Sequence, residues 1–184
     1  MKKIIFAAIV MIAGFSTTIM AQTSATISAT PAGAVLIVPM EIFQDAPLHF
    51  GTITLLSTVA AGTVTLPSNS IVRVFSAGVS GLGGTGTDLT TNAAYHVTGT
   101  YNETYALTLP SADITLTEVG GTNAATMTVN AFTARFNGAA ADAITSTLSA
   151  TGTDDFTLGA TLNLAIAQTG GIYAGTFPVT VDYN

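Results

Sequence analysis

The chain has 184 residues, of which ten are acidic, four are Lys or Arg and none is cysteine, and its formal net charge is −6. This balance repels phosphate backbones and anionic lipid, which argues against nucleic-acid binding and electrostatic attachment to membranes. Without cysteine there is neither a disulfide framework nor a cysteine-linked lipid anchor, so packing alone must hold the fold.

The first 21 residues have the layout of a secretory signal: Lys2 and Lys3, an apolar run over residues 4–15, then small and polar residues up to Ala21. Cleavage is expected after Ala21, and the location is exported: periplasm, cell surface or extracellular. The apolar run is too short to cross a hydrocarbon core of ~30 Å as a helix, and no later stretch is long enough, so no stable membrane span is expected. Removing the signal leaves about 160 residues, enough for one domain with a substantial core. Arg73 and Arg135 are then the only Lys or Arg residues. With 8% charged and 48% hydrophobic residues, the composition implies wide burial and a polar surface supplied by Thr, Ser and Asn.

In chain order, residues 22–33 read as an N-terminal arm or first strand, and residues 34–184 as a β-sandwich domain. Within the arm Ala25, Ile27 and Ala29 alternate with Thr26, Ser28 and Thr30. Pro31 and Gly33 interrupt, and the next apolar run, 34–43, contains Pro39, which cannot donate to a ladder and marks an edge or a switch between sheets. The apolar parity slips at Gly51, as a bulge or a close backbone approach would require. Further strands are predicted over 63–66, 71–75, 95–100, 104–109, 114–117, 126–132, 145–148 and 161–167. Among them Tyr105, Leu107 and Leu109 share one face, as do Leu162, Leu164 and Ile166. Pro67-Ser68-Asn69, Gly120-Gly121 and Asn137-Gly138 are turn signals between them. A single helical turn is expected over 139–144. The final stretch, from Gly170, sets Phe177, Val179, Val181 and Tyr183 against Thr176, Pro178, Thr180 and Asp182, which predicts a half-buried terminal strand. Many short strands, polar turns and no fixed repeat indicate an all-β antiparallel sandwich or barrel.

Residues able to do chemistry are sparse. His49 and His96 lie between inward-pointing neighbours and are expected to face outward, with no converging partners. There is no Gly-x-Ser-x-Gly elbow and no cysteine nucleophile. Gly83-Gly84-Thr85-Gly86-Thr87-Asp88 begins like a calcium-binding nonapeptide but has no second copy, so it reads as a flexible loop. Asp154 and Asp155 read as a solvated turn whose carboxylates would separate if the chain were extended. The Thr-x-Thr pairs at 63/65, 115/117 and 126/128 are irregularly spaced and read as exposed strand positions. No catalytic residue, cofactor or metal site is therefore predicted, and a non-enzyme is expected.

Leu48-x-Phe50-Gly51, Gly62-Thr63-Val64, Tyr95-x-Val97-Thr98-Gly99, Leu109-Pro110, Met127-x-Val129, Gly159-x-Thr161-Leu162-x-Leu164 and the end motif Gln168-x-x-Gly171-x-Tyr173-x-Gly175-Thr176-Phe177-x-Val179-Thr180-Val181-x-Tyr183 together resemble a secreted bacterial family known only as a domain of unknown function, DUF4402. The resemblance spans nearly the whole chain after the signal and implies a secreted or surface β-sandwich without an agreed activity. A looser resemblance is to chaperone and usher pilins and spore-coat-like subunits, which end in an alternating strand with a penultimate tyrosine and a glycine thirteen places before the last residue. Tyr183 and Gly171 occupy those places. That resemblance implies an Ig-like, pilin-like sandwich whose assembly residues would be Gly171, Tyr173, Phe177, Val179, Val181 and Tyr183, with Ala25, Ile27 and Ala29 as the arm. The partners it implies are further copies of the chain or a periplasmic chaperone. The alternatives are a self-contained periplasmic or surface module with its ligand in loops such as 77–91 and, more remotely, a small outer-membrane barrel.

Overall fold

A computed structural model describes residues 29, 31–56, 60–76, 78–81, 89–121 and 124–184. The signal segment with its cleavage site, Ala25, Ile27 and the glycine-rich 83–88 lie outside the described residues. The segment Met1–Val35 clusters separately from Leu36–Asn184; its described residues, 29 and 31–35, are exposed and carry no regular structure.

Leu36–Asn184 is built of strands alone among the described residues: β1 (Glu41–Ala46), β2 (Ile53–Leu55), β3 (Gly62–Leu66), β4 (Val74–Phe75), β5 (Val79–Gly81), β6 (Ala93–Thr98), β7 (Thr104–Thr108), β8 (Ile114–Glu118), β9 (Thr126–Phe136), β10 (Thr145–Thr147), β11 (Thr153–Leu164), β12 (Tyr173–Ala174) and β13 (Thr180–Tyr183). All pairings are antiparallel. The protein is thus an all-β antiparallel sandwich.

The spine is β11. One edge pairs with β6 over Thr153 to Leu158 and then with β3 over Ala160 to Leu164, while the other edge pairs with β9. One strand therefore holds together an eight-stranded sheet of order β1-β6-β11-β9-β8-β12, with β3 and β4 continuing beyond the end of β6. Its inward side chains Phe156, Leu158, Ala160, Leu162 and Leu164 are all buried. They divide between two core clusters. Tyr105 and Leu107 of the three-stranded sheet β10-β7-β13 pack against Tyr95, Phe136 and Phe156. The two-stranded sheet β2-β5 contributes Ile53, Leu55 and Val79 to the second cluster, around Val64, Val129 and Leu162.

Several sequence expectations are corrected. The last long strand begins at Thr153 and ends at Leu164, so Asp154 and Asp155 lie in a strand and not in a turn, although they do face opposite ways. Past its end Ala167 has φ 55°, and Ile166 turns out to solvent instead of joining Leu162 and Leu164 inside. In the 71–75 segment only Val74 and Phe75 pair, and Ile71 and Val72 are exposed. The 139–144 turn of helix does not form. There Ala143 donates its amide to Ala134 O, which lays the chain back along β9 before it crosses to β10 in the other layer. Pro39 lies outside a strand, and pairing starts two residues later at Glu41. The three turn signals hold: Ser70 N donates to Pro67 O at 3.3 Å, and Gly120 and Gly138 both have φ 75°. Gly51, where parity slips, has φ 72°.

Candidate assembly site at the open layer

The end motif is shared between the two layers. Tyr173 and Ala174 pair with Glu118 and Thr117 of β8, closing one edge of the eight-stranded sheet. The Tyr173 hydroxyl donates to Thr169 O at 2.6 Å and accepts from Gln168 Nε2 at 2.9 Å, so the motif from Gln168 to Tyr173 forms its own polar knot. Gly171 is pressed against Glu118, where a Cβ would come within 2.7 Å of Oε1. Past Gly175 the chain changes layers, and Thr180 to Tyr183 pairs with Thr108 to Tyr105 of β7. Phe177, Val179, Val181 and Tyr183 are half-buried against the first core cluster while the residues between them are exposed, as the alternation requires. Gly171 and Tyr173 therefore belong to a different sheet edge from the four alternating residues.

At its far end this strand is locked. The Tyr183 hydroxyl accepts from Thr100 N at 2.6 Å and donates to Val38 O at 2.7 Å, and Val38 N donates to Thr100 Oγ1 at 2.6 Å. A Cβ on Gly99 would overlap the Tyr183 hydroxyl, so that glycine makes the lock sterically available. Removing the hydroxyl strands the backbone amide of Thr100, a buried residue. Tyr183→Phe is expected to lower stability by about 1–3 kcal/mol in urea denaturation, with the fold retained.

The layer opposite the eight-stranded sheet is not continuous. Residues 48–55, which include β2, and residues 168–177 border a cavity of about 610 Å³. Its floor is the inner face of the large sheet: Ile114, Leu116, Met127, Val129, Leu162 and Leu164. Among the described residues no strand pairs with the second edge of β2 or of β13, and residues 175–179 join no ladder. Phe177 stands at the junction, its ring 4.8 Å from that of Phe132.

The family described as Domain of unknown function (DUF4402) matches residues 40–183. The chain belongs to the DUF4402 family. No curated protein and no solved structure matches it. Two glycines of this DUF4402 chain sit at close approaches. Gly99 faces Tyr183, and Gly159 faces the backbone of Leu66, Pro67 and Ser68.

Of the remaining candidates of the DUF4402 chain, His49 borders the open-layer cavity. His49 is exposed, and its Nδ1 accepts from Gly51 N at 3.0 Å. His96 faces outward on β6, where its Nδ1 lies 2.6 Å from Asp155 Oδ1 across the strand pair. Asp154, on the inner side, accepts from Tyr105 at 3.0 Å and from Ser146 at 2.6 Å. Burial first, and then the Asp154 charge, push the Tyr105 hydroxyl well above the ordinary tyrosine range, so it serves as a neutral donor linking the layers. Ala29 is exposed. Residues 77 and 82–88 of the 77–91 loop lie outside the described residues. Among the described residues no group of three His, Cys, Asp or Glu is placed to hold a metal, and no helix is long and apolar enough to cross a membrane.

Sequence reasoning missed Val38 and Thr100, which carry the lock, and Asp142, which carries a second tie. Asp142 Oδ1 accepts from the buried Ser68 hydroxyl at 2.6 Å and from Arg135 Nε at 2.7 Å. The Ser68 hydrogen bond above all, helped by Arg135, holds the carboxyl below the usual carboxylate range against its own partial burial. A lowered folded pKa gives stability that is present above the ordinary value of about 3.9 and is lost as pH falls through the folded one. The melting temperature should therefore drop on acidification below about pH 4, and Asp142→Asn should flatten that limb of the profile.

Proposed function

We propose that the chain is an exported, non-enzymatic β-sandwich subunit of a surface structure, fimbria-like or coat-like, that assembles by β-strand addition. The observation that carries this reading is the gap in the second layer, an apolar cavity of about 610 Å³ between β2 and residues 168–177. A strand laid there would gain main-chain hydrogen bonds from an open edge and set alternate side chains on Leu116, Met127 and Leu164. Such binding needs no reacting group.

The donor in this reading is the arm of a second copy, residues 22–30, with Ala25, Ile27 and Ala29 turned inward, or, during export, a strand of a periplasmic chaperone. Support for an apolar N-terminal segment that seeks cover comes from just beyond the arm. Val35, Leu36, Ile37 and Val38 are consecutive and each is at least half exposed, Val35 at 86%. Runs of this kind mark contact surfaces in soluble proteins.

A synthetic peptide of residues 22–30, added to a chain that starts at residue 31, should bind saturably and raise its melting temperature. Leu116→Trp, which fills the cavity from its floor, should abolish the effect while the protein still melts cooperatively. No binding to the unmodified domain would contradict the proposal.

A further inference from the structure

A second concavity lies on the outer face of the large sheet, away from the open layer. Its volume is about 460 Å³, and Asp45, Asn69, Arg135, Asn137 and Asp155 border it. Four separate elements, β1, the turn after β3, β9 with its turn and β11, deliver these groups. Asp45 occupies the β1 bulge, where the register to β6 shifts between Gln44 and Ala46; a bulge re-aims the side chain it carries. Asn69 stands in the turn after β3, next to Ser68, which is tied to Asp142. Asn137 begins the turn after β9 and donates its amide to Asp155 O at 2.9 Å.

Two of the three charged members are held from behind. Arg135 donates through Nε to Asp142 at 2.7 Å and through Nη1 to Ala140 O at 3.1 Å, and Asp155 is paired with His96. In contrast, among the described residues the carboxamides of Asn69 and Asn137 and the carboxylate of Asp45 make no hydrogen bond. The result is a groove in which Arg135 and Asp155 are fixed from behind, as a recognition site requires, while the Asp45 carboxylate and the two carboxamides are uncommitted. Ala94, Gly138 and Ala139 supply small apolar surface between the polar groups. On the same face Phe43, 51% exposed, stands in one cross-strand row with His96 and Asp155.

The ligand class follows from this inventory. Two carboxylates oppose one guanidinium that is already engaged by Asp142, which disfavours phosphate, sulfate and uronic acids. Asp45, Asp155 and its partner His96 are not grouped so as to hold a metal ion, among the described residues. Carboxylates accept paired donors, and carboxamides both donate and accept, as adjacent hydroxyls on a sugar ring demand. The methyl surface of Ala94 and Ala139 suits the C–H face of such a ring.

We propose that this groove binds a neutral sugar residue of a glycan, independently of strand addition. The test is an NMR titration of the ¹⁵N-labelled chain with mannotriose, galactobiose, cellotriose and chitotriose. At least one should give saturable shifts centred on Asn69, Asn137 and Asp155. Asn137→Ala and Asp45→Ala alter exposed side chains without hydrogen-bonding partners and should leave the melting temperature unchanged. Each should weaken the binding about tenfold, the equivalent of one lost hydrogen bond. Shifts from none of the four sugars, shifts that map elsewhere, or an affinity untouched by both substitutions would overturn the assignment.

Discussion

A chain ending at Thr176 is expected to lose cooperative folding. The truncation removes Phe177, Val179, Val181 and Tyr183, which pack on the first core cluster and cover Tyr105, Leu107 and their neighbours. Full burial of one such side chain contributes roughly 1.5–3 kcal/mol, so four half-buried ones together contribute roughly 3–6 kcal/mol. The Tyr183 lock to Thr100 and Val38 goes with them, and β7 loses the ladder partner on one edge. A domain of this size has about 5–15 kcal/mol of net stability, so the loss reaches the lower end of that range. Thermal melting followed by near-ultraviolet circular dichroism should show no sigmoidal transition for the truncated chain. A cooperative melt within a few degrees of the full chain would contradict the role given to this strand.

Gly159→Ala is expected to be strongly destabilising. A Cβ at this position would overlap Leu66 O, Pro67 C and Ser68 N, all of them backbone atoms. Those atoms have little room to move. Asn92 Nδ2 donates to Pro67 O at 2.6 Å and to Leu158 O at 3.2 Å, Thr157 Oγ1 donates to Ser68 O at 2.6 Å, and Ser68 is itself held by Asp142. Overpacking a fixed contact costs about 1–3 kcal/mol when side chains can adjust, and backbone against backbone should reach at least the upper figure. Gly138→Ala is the natural control. That glycine has φ 75° with nothing within 4 Å of an added Cβ, so only the left-handed backbone is penalised, by about 1–2 kcal/mol. Urea denaturation of the two variants should rank them in this order, and equal midpoints would show that the turn after β3 yields.

The sequence spoke most clearly where the physical signal is local. Period-two alternation identified the half-buried face of Phe177, Val179, Val181 and Tyr183, although only Thr180–Tyr183 pairs as a strand, and parity placed both histidines outward, because each inference needs only neighbouring residues. It failed where a partner distant in sequence decides. Asp154-Asp155 looks like a turn until Tyr105 and Ser146 are seen to take one carboxylate and His96 the other. Nothing near residue 153 shows that three strands will pair along this stretch and its continuation. The alanine-rich 139–144 favours a helix by propensity, but its backbone bonds back to β9, and tertiary context wins. The Thr-x-Thr pairs are irregular along the chain and regular across it. Thr63, Asn163, Thr128 and Thr115 fall in one cross-strand row. The open layer was equally hidden, since a cavity between β2 and residues 168–177 depends on where two distant segments stop.

The most direct test of assembly by strand addition is light scattering coupled to size exclusion on the chain from residue 22, compared with the same chain from residue 31. The expected result is a polydisperse ladder for the longer chain that collapses to one monomeric mass when residues 22–30 are absent. A single, cooperatively melting monomer in both cases would contradict the proposal and mean that the sandwich completes itself.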